Sequence, residues 1–181
     1  MAEALLAAEL ERRGLDGTVT SAGLLDDGRP ASEQAVRVMA DRGHDLSTHA
    51  SRRMTAELLD RADLIIAMER RHLREAAVLA PAAWPRSFTL PELARVAAAA
   101  GPRPADVPLA DWLDGLVAER TTDAHVGESR DDEVDDPYGR GARTFRRCAD
   151  ELEELVAVVA DHLFPDAGDG ADTPALRSTS A

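Results

Sequence analysis

At 181 residues, 44% hydrophobic and 30% charged, the chain has the size and composition of one globular domain with its own core. Asp and Glu outnumber Lys and Arg 34 to 21, and the resulting formal charge of -13 has the wrong sign for gripping a nucleic-acid backbone or an anionic membrane, so neither is expected as a partner. No apolar run approaches the roughly 18 residues of a membrane span, the N-terminus lacks a signal-peptide pattern, and the single cysteine, Cys148, excludes an internal disulfide framework; together these lead us to expect a cytoplasmic protein.

Taken in order, Met1 to Arg13 reads as a helix with apolar positions at Leu5, Leu6 and Leu10 and a terminating Gly14. Thr18-Val19-Thr20-Ser21 is a short β-type run, followed by an Asp/Gly/Pro loop through Pro30. A second helix is expected from about Ser32 to Arg42, closed by Gly43, and Thr55 caps a short one through Leu59. Leu64 to Ala67 is a continuous apolar run of the kind buried on both faces in a parallel sheet. Glu69 to Leu79 is helical up to Pro81, and Ser87 to Leu90 is a weaker strand. Two helices, Pro91 to Ala100 and Leu109 to Ala118, flank a Gly-Pro-Arg-Pro breaker. A loop from Thr121 to Gly141 leads into a final helix, Ala142 to Phe164, stopped by Pro165, and residues 166–181 have the composition of a disordered tail. Strands alternating with helices predict a Rossmann-like α/β fold, a parallel sheet with helices on both faces, over residues 1–165. The strand that ordinarily precedes the first helix of such a fold, with an anion site at that helix's N-terminus, is missing from the pattern.

The stretch with the most chemistry is Glu133-Val134-Asp135-Asp136-Pro137-Tyr138-Gly139. Pro137 removes a donor and holds Asp136 extended, so its carboxylate can project from a loop. Asp131, Asp132, Glu133 and Asp135 add like charge, which raises a carboxyl pKa in the direction a general acid needs. The same residues also have the chemistry of an ordinary turn in a solvated acidic loop.

Several segments in order resemble the low-molecular-weight protein tyrosine phosphatase family. Met1 to Leu5 resembles its first helix, Ser21-Ala22-Gly23 its second strand and loop, and Leu46 to Arg52 its Ser-x-His-x-x-Arg-like connection. Ala62 to Met68 resembles its third strand, Asp136-Pro137-Tyr138-Gly139 its general-acid loop, and the helix with Cys148 its last helix. The resemblance implies phosphomonoester hydrolysis through a cysteinyl-phosphate with no metal or other cofactor, on a phosphotyrosine protein or small aryl phosphate. It implies Asp136 as the acid for the leaving oxygen, Tyr138 as a wall for an aromatic substrate, and Ser21 and His49 as supports of the phosphate loop. The segment between Pro81 and His125 looks longer than the family's minimal form, with a helical insert at about 91–120, and Trp84 and Trp112 inside that segment are expected as packing anchors.

The family's Cys-x5-Arg loop lies just ahead of the helix that opens this sequence, and Cys148 does not replace it, because Glu154 stands six residues on and the cysteine falls within a helix. Two explanations are open: a product with an additional strand and loop in front of Met1, which avoids the unpaired backbone groups of a sheet lacking a central strand, or a pseudo-enzyme. The sequence as it stands is expected not to turn over phosphate esters. Outside catalysis, the Asp131 to Asp136 loop could bind a basic or tyrosine-bearing partner; arsenate reduction, a reaction of some relatives, calls for additional redox cysteines. His44, His72, His125 and His162 show no ligand spacing, and the acidic run lacks the spaced ligands of a calcium loop, so no metal site is assigned.

Overall fold

The computed structural model describes residues 1–118 and 130–165; His125, part of the long loop and the tail at 166–181 lie outside the described residues. Seven helices and two strands are described, in the order α1 (Ala2–Arg12), α2 (Glu33–Ala40), α3 (Ala56–Asp60), β1 (Ile65–Ala67), α4 (Arg70–Leu79), β2 (Ser87–Thr89), α5 (Leu90–Ala100), α6 (Leu109–Ala118) and α7 (Ala142–Leu163). Short 3-10 turns occupy Pro81–Arg86 and Arg130–Asp132.

Local chemistry sets most of the helix ends. Ser32, Thr55 and Thr89 each accept a hydrogen bond from a backbone N–H in the first turn of the helix they precede, and Thr89 forms a reciprocal capping box with Glu92. Gly43 ends the turn after α2 with φ +83°, a conformation that costs glycine little.

The spine is α7. Its buried residues Phe145, Cys148, Ala149, Leu152, Val156, Val159, Ala160 and Leu163 recur at three- and four-residue steps, so they form one stripe along 22 residues. Onto that stripe pack α5, α1 and α2, and their inward residues, among them Leu5, Val38, Met39, Leu93 and Ala97, share one core with it. A satellite cluster of Leu59, Ala76, Ala80 and Ala83 lies under α3 and α4.

The sheet is smaller than the sequence predicts. Strands β1 and β2 pair in parallel, with Ile65 opposite Ser87 and Ala67 opposite Thr89. Thr18 to Ser21 forms no strand; it lies largely exposed, and the chain beyond it is fixed by isolated bridges, Gly23 to Arg53 and Pro30 to Ala50. A β-prone run without a neighbouring strand has no ladder to satisfy its backbone, which is why propensity alone does not make Thr18 to Ser21 a strand. The same cause leaves β1 short of the burial expected of a central strand. Ile65 and Ile66 are only half-buried, whereas all three residues of β2 are buried, and among the described residues β2 is the only strand paired with β1. No described helix is long and apolar enough to cross a membrane.

Candidate active site

The acidic loop is held from beneath by a buried network. Asp132, 6% exposed, receives Arg70 Nη2 at 2.5 Å and Arg95 Nη2 at 3.1 Å, so a single carboxylate joins the start of α4 to the middle of α5. The next two residues add backbone ties. Glu133 Oε1 accepts the Arg70 N–H at 3.0 Å, capping α4 from outside it, and Val134 N–H donates to the Met68 carbonyl at 2.9 Å. Burial pushes the Asp132 carboxyl upward, but the hydrogen bonds and charges of Arg70 and Arg95 outweigh it and hold the group below its ordinary value. The run from Asp131 to Asp136 is therefore not a block of bare like charge, as its sequence suggests. Asp132 is drawn inward by two guanidiniums, and Asp135 faces Arg147 Nη2 at 3.5 Å.

Beyond this anchor the chain makes two overlapping turns. Asp136 Oδ1 accepts the Tyr138 N–H at 2.9 Å, and the Arg140 N–H donates to the Pro137 carbonyl at 3.0 Å, with Gly139 at φ +75°. Asp136 is thus both a turn residue and an exposed carboxylate with one oxygen uncommitted. Tyr138 stands out at 76% exposure, above a shallow depression that Ser32, Gln34 and Phe145 also line.

Ser21 and His49 meet at a residue the sequence reading did not single out. Glu3, in the first turn of α1, accepts Ser21 Oγ at 2.5 Å with Oε2, and His49 Nδ1 lies 3.5 Å from that same oxygen. A hydroxyl from the Thr18 to Ser21 run and an imidazole from the 46–52 connection are thereby fastened to the N-terminal turn of one helix, the end where backbone N–H groups are free and the dipole is positive. No hydrogen bond among the described residues joins this trio to Asp136 or Tyr138.

Cys148 relates the two halves. Buried in α7, its thiol lies within electrostatic reach of the Met1 amine, Asp136 and Asp135; burial first, then Glu151, pushes it up to about 11. A thiol held protonated is a packing residue and a poor nucleophile. His72, on the first turn of α4, is lowered by burial and feels Glu69, Asp136 and Glu133, which places it beside the acid loop. Among the described residues no group of three or more His, Cys, Asp or Glu is arranged to hold a metal ion.

Geometry adds Glu3 to the candidate residues and gives His72 and Asp132, read from the sequence only as a scattered histidine and as like charge, places beside and beneath the acid loop. The available signal was position: Arg70 and His72 follow directly on the carboxyl end of β1, where residues of α/β folds gather around ligands.

Against known proteins, a family profile described as low molecular weight phosphotyrosine protein phosphatase matches residues 1–97. A protein-arginine-phosphatase of Bacillus subtilis (strain 168) is 29% identical over 167 residues, covering 92% of this chain and 89% of that protein. A probable low molecular weight protein-tyrosine-phosphatase, EpsP of Ralstonia solanacearum, is 40% identical over 95 residues, 51% of this chain; the match spans 62% of that relative's length. The crystal structure of a low molecular weight protein tyrosine phosphatase from T. tengcongensis superposes with a TM-score of 0.66 at 26% identity, covering 90% of this chain and 88% of that one.

Proposed function

This chain belongs to the low molecular weight phosphotyrosine protein phosphatase family, and we propose that its fold serves that family's reaction, hydrolysis of a phosphorylated protein side chain through a phosphocysteine. The observation that carries the proposal is the acid loop. Asp136 presents a carboxylate from a double turn whose base is tied into α4 and α5 through Asp132. A general acid needs this combination of a fixed backbone and a free oxygen, because it must reach the leaving atom without reorganising. Tyr138 forms a wall of the entrance, and Ser21 and His49, gathered on Glu3, brace the loop that cradles the phosphate at the start of α1.

That phosphate loop requires a thiolate and an arginine in the Cys-x5-Arg spacing, which the 181 residues do not contain. We propose that the catalytic unit carries this loop, with a strand leading into it, joined to the N-terminal turn of α1. Two features support this: the half-buried Ile65 and Ile66 on β1, and the unpaired Thr18 to Ser21 run, which together would flank an intervening parallel strand. Without it, the polypeptide from Met1 to Ala181 keeps the acid and lacks the nucleophile, and turns nothing over. Residues 1–165 would then form one phosphatase-like domain, with the helices in the 91–120 stretch as an elaboration next to the acid loop, acting in the cytoplasm.

The substrate we favour is phosphotyrosine, for which an exposed aromatic beside the acid is a natural stacking surface. Phosphoarginine is the second reading, favoured by the length of the match to the Bacillus protein. Phosphotyrosine and phosphoarginine peptides offered to the protein purified from its own cells separate the two. In either case Asp136→Asn should lower kcat by about 100-fold or more with a smaller change in KM, since the acid acts in the transition state. Unchanged kcat in that variant would remove Asp136 from the mechanism, and binding without turnover would favour a pseudo-enzyme that captures its partner.

A further inference from the structure

An arginine patch runs from the candidate acid loop across to α2. Arg140, Arg143 and Arg146 are exposed, and none of their guanidiniums has a hydrogen-bond or ion-pair partner among the described residues. Arg143 and Arg146 sit one helical turn apart near the start of α7, and Arg146 lines a surface depression of about 420 Å3 together with Arg37 of α2. Gln34 lines both this depression and the one beneath Tyr138, so the two are neighbours.

Most carboxylates around the patch are already engaged. Asp135 faces Arg147 at 3.5 Å, Glu153 and Asp150 hold Arg42, and Glu33 is 3.6 Å from Arg37 in a fully solvated pair; Asp41 alone among the acidic residues lines the depression. The sequence places these cations where they cost stability, since the first turns of a helix favour negative charge and α7 has no acidic residue in its first turn and no side-chain cap. In a chain of net charge -13, three arginines without an ion-pair partner among the described residues, gathered at an unfavourable end of its main helix, are not explained by folding. At physiological salt the Debye length is about 8 Å, so the patch acts locally whatever the net charge of the molecule.

We propose that this surface, Arg37, Arg140, Arg143 and Arg146, docks an acidic segment of the protein substrate next to its phosphorylated residue. The proposal rests on the phosphatase reading above and narrows its substrate class. Arg140 follows Tyr138 by two residues, so the recognised Asp or Glu side chains lie close along the peptide to the phosphoresidue.

The test is fluorescence anisotropy on the protein in the form its own cells make, with a labelled, unphosphorylated peptide rich in Asp and Glu. A Gln/Ser peptide of equal length and an oligonucleotide of equal charge serve as comparisons. The acidic peptide should bind and weaken with salt, the neutral one should not, and Arg140→Glu/Arg143→Glu/Arg146→Glu should weaken binding by about tenfold or more. Because glutamate suits the start of a helix, this triple variant should melt no earlier than the parent, so lost binding is not unfolding; Arg74→Glu on α4 should bind as the parent does. Equal binding of the neutral peptide, indifference to the triple reversal, or preference for the oligonucleotide would each overturn the proposal. The probe carries no phosphate, so failure here leaves the phosphatase reading standing, and failure of turnover leaves the docking result standing.

Discussion

Asp132 shows how one side chain decides whether a loop is a scaffold or a tether. Its carboxylate is almost fully enclosed and shared between Arg70 and Arg95, and removing it strips a buried guanidinium of a charged partner. Asp132→Ala should therefore cost roughly 3–5 kcal/mol in urea denaturation, far more than a surface ion pair is worth. The sign of its pH dependence follows from its lowered pKa: the contribution is complete above the ordinary value of 3.8 and is lost as pH falls through the lower, folded value. Glu9 behaves alike. Held down to about 2, chiefly by its hydrogen bond from Arg12 and aided by Arg13, it gives up its contribution between about pH 4.5 and 2. Cys148 carries the opposite shift. With its thiol raised to about 11 it should react with a disulfide reagent at pH 8 far more slowly in the folded protein than in denaturant; rapid labelling of the folded chain would mean that α7 does not bury it.

Among the elements, α7 does most of the organising, because α1, α2 and α5 all pack against it. Leu152 is 3% exposed at the middle of its stripe, and Leu152→Ala should destabilise by about 2–5 kcal/mol in the same denaturation assay. The helices were legible from the sequence because their signals are local. Ser32, Thr55, the Thr89–Glu92 box and the Gly43 stop each act within four residues, and the observed ends fall within about two residues of those read from the chain. Thr18 to Ser21 was misread for the complementary reason. A strand is completed by a neighbour elsewhere in the chain, and β-propensity carries no information on whether that neighbour is there. The candidate site divides on the same grounds. Asp136 and Tyr138 announce themselves through Asp-Pro-Tyr-Gly, whereas the Arg70 to Asp132 bond spans 62 residues and the Ser21 to Glu3 bond spans 18, and no local pattern encodes either.

For the whole molecule, the two clusters of candidate residues lie around one helix end. Ser21 and His49 converge on Glu3 in the first turn of α1, and Asp136 and the Met1 amine share the neighbourhood of Cys148. A phosphate loop seated on that turn would place its thiolate over free N–H groups, the arrangement that keeps a cysteine ionised and an oxyanion stabilised. It would also supply β1 with a second neighbour; among the described residues only β2 pairs with it. The measurement that bears on this most directly is the intact mass and N-terminal peptide of the protein isolated from its own cells. A product heavier than the 19.4 kDa chain, with a Cys-x5-Arg segment running into Met1-Ala2-Glu3, is the result we predict. A mass matching Met1 to Ala181 would contradict it, leaving a chain that keeps the acid loop and the docking patch but has no nucleophile to serve.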